Sequence, residues 1–101
     1  MATMDRRSQQ RFFTEVLGWA QGTALEKYSV FVSDISARGC RISDHNSHVG
    51  VDDRVVLSMA GLEPLAATVR WANKGAAGLE FDEALADEIV LYLASFCRGV
   101  A

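Results

Sequence analysis

The sequence predicts a mostly β domain, a small barrel or sandwich of about six short strands closed by one helix. Three observations predict it. Apolar and β-branched residues alternate with polar ones from Phe12 to Phe81, the period-two signature of half-buried strands. Turn residues interrupt that alternation at short intervals: Gln21-Gly22-Thr23, Asp34 to Gly39, Ala60-Gly61 and Asn73-Lys74-Gly75. From Leu85 the period becomes helical, with Leu85, Ile89, Tyr92, Leu93 and Phe96 at three- and four-residue intervals.

The elements follow in order. Residues 1–11 are polar and basic with no hydrophobic period and read as a flexible arm, leaving 12–98 as the folded domain. Phe12 to Ala20 is the first strand, with Phe13, Leu17 and Trp19 on one parity. Leu25 to Ser33 is the second, with Tyr28, Val30 and Val32 on one face and Phe31 on the other. Cys40-Arg41-Ile42 is a third, short strand; Ser43 to Gly50 is a polar loop. Arg54 to Met59 and Leu62 to Trp71 form a hairpin, in which Pro64, lacking an N–H, belongs at the start or edge. Ala77 to Phe81 is the last strand. Asp82 is the candidate cap of the helix that follows, and Arg98-Gly99 its basic end and stop.

The bulk properties narrow the function. A chain of 101 residues, half of them hydrophobic, makes one core and no second domain. A net charge of −3 opposes a surface that binds nucleic acid throughout. The aromatics Phe12, Phe13, Trp19, Tyr28, Phe31 and Trp71 could in principle form a base-stacking platform, but their alternation reads as core packing. Two cysteines, Cys40 and Cys97, outside any CxxC pair, read as reduced thiols. No apolar run approaches the roughly 18 residues of a spanning helix, and the first residues lack the pattern of a signal peptide, so the expected location is cytoplasmic, away from membranes. His45 and His48 make an H-x-x-H pair in a polar loop with no third metal ligand at a recognisable spacing. With no nucleophile elbow, P-loop or paired inward carboxylates, a binding domain is expected and an enzyme is not.

Two clusters carry the binding chemistry. Arg7 and Arg11 form an R-x-x-x-R pair preceded by Arg6. The guanidinium fork fits phosphate oxygens and the O6 and N7 acceptors of guanine, and its plane stacks on a base. Asp34, Ser36 and Gly39 form a D-x-S-x-x-G turn. There Asp34 can accept from guanine N–H groups, Ser36 can donate or accept, and glycine permits a positive φ or a close approach. Such a run is also a common turn whose Asp and Ser bond their own backbone.

In combination, order and spacing these motifs resemble the PilZ family, whose members bind the bacterial second messenger cyclic di-GMP. Val69-Arg70-Trp71 is similar to the family's VxW strand and Gly78 to Phe81 to its final GxxF strand, so the resemblance spans residues 6 to 96. It implies a six-stranded antiparallel β-barrel with a C-terminal helix, and an arm that folds over the barrel mouth when nucleotide binds. It also implies roles: Arg7 and Arg11 grip guanine edges and phosphates, Asp34 and Ser36 hold a guanine edge, and Gly39 keeps the turn open. Arg6, a basic residue before the pair, implies two stacked nucleotides per chain. An adaptor of this kind would relay the signal to an effector protein in motility, secretion, polysaccharide synthesis or signalling. The rival reading is a PilZ-like interaction module that does not bind nucleotide. An enzyme acting on cyclic di-GMP would need metal-binding clusters that the sequence does not display.

Overall fold

A computed structural model describes residues 10–23, 26–44 and 49–96. Six antiparallel strands, β1 (Phe12–Gln21), β2 (Lys27–Ile35), β3 (Gly39–Ser43), β4 (Arg54–Met59), β5 (Leu65–Asn73) and β6 (Ala76–Phe81), close into a barrel in the order β1-β2-β3-β6-β5-β4. Closure pairs every strand on both sides, so no edge is left to recruit another chain's backbone. Among the described residues one helix, α1 (Asp87–Ala94), packs on β1 and β2.

The six strands form near where the alternation placed them, but β2 runs on through Asp34 and Ile35, read from the sequence as turn, and β5 begins at Leu65 and not at Leu62. Ala60 and Gly61 take φ of 55° and 76°, and Lys74 and Gly75 take 49° and 82°. Lys74 and Gly75 make the two-residue hairpin turn that sets Asn73 opposite Ala76, whereas the register of Leu57 opposite Leu65 carries one residue more than a two-residue turn at Ala60-Gly61 gives. Pro64 stands directly before β5, where no ladder hydrogen bond is asked of it.

The interior is filled by small and β-branched side chains: Val16, Ala20, Val30, Val32, Ile42, Val55, Leu57, Ala67, Val69 and Ala77 are buried. Of the aromatics read as core, Phe12 and Tyr28 are partly buried against it, and the other four are not part of it. Phe13, Leu17, Trp19, Phe31 and Trp71 all lie exposed on the outer wall, and Thr14, Val16, Gly18 and Ala20 take the inward parity of β1. The physical reason is bore. About eight strands give a barrel just wide enough for side chains to fill, so six leave room for methyl-bearing residues and none for a row of rings. Alternation identifies a strand without saying which parity faces in.

The helix is the plug. Val90 and Leu93 are buried, with Leu85, Ile89 and Phe96 partly buried against the same core. The Leu85 N–H donates to the Ala37 carbonyl at 2.8 Å, and the Thr14 hydroxyl donates to the Leu93 carbonyl at 2.5 Å. The helix end is thereby tied to the start of β1, the Leu93 carbonyl also accepting from the Phe96 N–H at 3.2 Å. Asp82 does not cap it. The helix begins five residues later, with Ala86 at the cap position and no side-chain cap bond, while Asp87 and Glu88 supply the first-turn acids. Asp82 is engaged elsewhere, receiving both nitrogens of the Arg54 guanidinium at 2.7 and 2.6 Å. Arg98-Gly99, Cys97, His45 and His48 lie outside the described residues.

Leu93, fully buried at the plug, is the most informative core position. Leu93→Ala is expected to destabilise the domain by about 2–5 kcal/mol through lost burial and the cavity left behind. Urea unfolding followed by circular dichroism reads this as a lowered midpoint at unchanged slope.

Candidate functional site

The outer wall carries one row of residues built strand by strand. Phe13 of β1 stands opposite Asp34 of β2, Asp34 opposite Arg41 of β3, Arg41 opposite Gly78 of β6, and Gly78 opposite Trp71 of β5. The registers of β1–β2, β2–β3 and β5–β6 shift beside this row, between Phe13 and Val16, Val32 and Asp34, and Val69 and Trp71. Bulges of this kind re-aim side chains. Strict alternation from Val32 and from Val69 would turn Asp34 and Trp71 inward; the bulges put both on the groove.

From Asp34 to Trp71 the row lines an open groove of about 440 Å³, which also takes in Arg11, Ser36, Arg38, Gly39, Arg70 and Glu80; Phe13 stands outside it. Of the residues singled out from sequence, the structure therefore brings together Arg11, Asp34, Ser36 and Gly39. Arg6 and Arg7 lie outside the described residues.

Each member of the groove is held for a different reason. The Arg11 guanidinium donates to the Asp34 carboxylate at 3.0 Å, joining the end of the arm to the turn motif. Ser36 does what such turns ordinarily do: its hydroxyl donates to the Gly39 carbonyl and accepts from the Arg38 N–H, both at 3.3 Å. Asp34 does not bond its own turn in this way and keeps its carboxylate toward Arg11.

Gly39 has no positive φ, so the conformational reading of its role is replaced by a packing one. A Cβ on Gly39 would stand 2.1 Å from the Leu79 carbonyl oxygen. The close approach that demands glycine comes from the neighbouring strand, and the open turn is its by-product. Beneath it, Cys40 is buried; burial, then the negative charge of Asp34, push its thiol pKa well up, which keeps it neutral and inert.

Composition gave no hint of the far wall. The Trp71 indole lies across Gly78, where a Cβ would meet its Nε1 at 2.0 Å, and the Arg41 guanidinium carbon sits 5.8 Å from the ring centroid. That is cation–π range. Arg70 donates to Glu80 at 2.5 Å, and the Arg54–Asp82 pair continues the line of charge along β4–β6, with Arg54 also donating to Thr68 at 2.8 Å. The Arg54 hydrogen bond holds the Asp82 carboxyl below its usual pKa. The available signal in the sequence was the VxW spacing. Without the bulge before Trp71, that spacing places the indole inside the barrel. Among the described residues no cluster of His, Cys, Asp or Glu could hold a metal ion, and no helix is long and apolar enough to cross a membrane.

Comparison with known families decides the classification: the sequence pattern of the PilZ domain matches residues 5–97. The chain belongs to the PilZ family. A PilZ domain is a binding and adaptor unit, and the six-stranded barrel with one C-terminal helix is what its fold should be. Among solved structures, the Bacillus subtilis inhibitor of motility, MotI/DgrA, superimposes with a TM-score of 0.57 at 19% identity. The match covers 86% of this chain and 47% of that one, so this PilZ domain corresponds to about half of the longer protein. At this identity the likeness is one of fold. No curated protein sequence matches the chain.

The contact between Trp71 and Gly78 is directly testable. In a Trp19→Phe background, Gly78→Ala is expected to displace the Trp71 indole into solvent, with red-shifted emission and stronger quenching by acrylamide. Unchanged emission would show that the indole does not rest on Gly78.

Proposed function

We propose that this PilZ domain is a receptor for cyclic di-GMP that relays nucleotide binding to a protein partner through its N-terminal arm. The observation that carries the reading is the pairing of Arg11 with Asp34 at the edge of the groove. Two motifs 23 residues apart in sequence, an R-x-x-x-R arm and a D-x-S-x-x-G turn, meet at one point. Their chemistry matches a guanine dinucleotide: cationic forks for phosphate and for guanine O6 and N7, and a carboxylate for guanine N–H groups. The exposed faces of Trp71 and Arg41 add stacking surfaces of the kind a purine uses.

In this reading Arg7 and Arg11 grip the nucleotide, Asp34 and Ser36 hold a guanine edge, and Gly39 keeps the wall low enough for approach. The Arg11–Asp34 pair is then exchanged for contacts to the ligand. An exposed ion pair of this sort contributes little, about 0–1 kcal/mol, so its loss is a small obstacle. Only a ligand that binds the two arm arrangements unequally can shift the arm, and a dianion facing Arg7 and Arg11 meets that requirement. Arg6 supports a second, stacked nucleotide. The effector belongs to motility, secretion, polysaccharide synthesis or signalling. Motility is favoured by the fold likeness to an inhibitor of motility.

Calorimetric titration with cyclic di-GMP tests this. Micromolar or tighter binding is expected, weakened about 5- to 150-fold by Arg7→Ala and by Arg11→Ala. No heat and no shift in melting temperature would leave an interaction module that works without nucleotide. The same titration reads stoichiometry: two nucleotides per chain are expected, falling to one in Arg6→Ala, and a wild-type ratio of one would remove the role given to Arg6.

A further inference from the structure

On the side of the barrel formed by β1, β2 and β4, the outward residues Phe13, Leu17, Trp19 and Phe31 are 82%, 59%, 52% and 51% exposed, and Val56 is exposed beside them. Leu17, Trp19, Phe31 and Val56 cluster at the middle of this face, and Phe13 continues it beyond Glu15. Leu17 stands directly opposite Phe31, and Trp19 lies on the diagonal from Phe31 and opposite Ser58 of β4. Aromatic side chains carry roughly 150–250 Å² each, so these fractions leave on the order of 500 Å² of apolar surface in water. That is near the upper end of what a soluble monomer exposes in one patch.

We propose that this face binds a second copy of the chain, forming a symmetric dimer with β1 packed antiparallel on its partner. Two observations select this occupant. The first is area. A standard interface takes about 800 Å² from each partner, of which roughly 65% is apolar in homodimers, and the patch supplies that amount. The second is self-complementarity. A two-fold axis beside Gly18 brings Leu17 onto the partner's Trp19, and Glu15 onto the partner's Gln21. Lys27 stands opposite Gln21 on β2, so Glu15 of each copy comes within reach of Lys27 of the other. Glu15 and Lys27 are both exposed, and among the described residues neither has an ion-pair partner. The outward order Glu15, Leu17, Trp19 and then Gln21, with Lys27 beside it on β2, is thus satisfied by its own reversal. The two sheets pack face to face with strands nearly aligned, as twisted sheets do. A single-stranded nucleic acid would need a cationic track, which a face carrying Glu15 against Lys27 lacks. The dimer leaves the groove on β2, β3, β6 and β5 open, so the inference is independent of the nucleotide reading.

Sedimentation equilibrium of the full chain without nucleotide is the test. A dimer in the micromolar range is expected, and Phe31→Glu, at an exposed site that leaves the core intact, should weaken it about 30-fold or more. Glu15→Lys and Lys27→Glu should each weaken association, and the two together should restore it. Circular dichroism of each variant should match that of the wild type. A wild-type chain that is monomeric at millimolar concentration overturns the proposal. So does a dimer indifferent to Phe31→Glu, or one broken instead by Leu91→Ala on the exposed side of α1. Failure of the charge exchange to restore association overturns the two-fold arrangement.

Discussion

Everything on the functional face depends on how closely β3 and β6 approach at Gly39. These strands are far apart in sequence, and their pairing, with that of β1 and β4, converts two sets of hairpins into a closed barrel. At Gly39 the Leu79 carbonyl occupies the space that any side chain would need. Backbone cannot yield as a flexible side chain can, so a larger residue would force the pair apart. Separation there would open the barrel, detach the Ser36–Gly39 turn and remove the floor of the groove. The glycine of a motif read for its ligand chemistry is first a condition of closure.

The same constraint accounts for the distribution of residue sizes. A six-stranded bore admits mainly valine, alanine, isoleucine and a few leucines, which sends both tryptophans, Phe13 and Phe31 outward. Outward aromatics in turn give the protein two distinct surfaces: a polar groove with Trp71 on one side and an apolar face with Trp19 and Phe31 on the other. The bulges in β1, β2 and β5 adjust this division locally, bringing Asp34 and Trp71 onto the groove against the parity of their strands.

Most of the fold was legible in the sequence, because strand alternation, turn chemistry and helical period are local signals. All six strands and the helix follow from them, as does the position of Pro64. What was not legible depends on curvature and on partners distant in sequence. The inward parity of β1 is fixed by bore, which no local window records. Asp82 looked like a helix cap because the helical period begins nearby, whereas its carboxylate is taken by Arg54 from another strand. At the candidate site, Arg11, Asp34, Ser36 and Gly39 were identified by motif, while Arg41, Arg70, Trp71, Gly78 and Glu80 join them only through cross-strand register. The motif allowed Gly39 a positive φ that it does not take, and gave no sign of the Leu79 carbonyl that crowds it.

The two tryptophans of the chain fall one on each surface. Each indole is partly wet and partly covered, the condition in which emission responds most to a change of surroundings. The protein therefore carries a built-in pair of optical reporters, Trp71 for the groove and Trp19 for the apolar face. Replacing either one with phenylalanine leaves a probe that sees one surface and is blind to the other. Events at the two faces can in this way be timed separately in the same molecule, with no label attached.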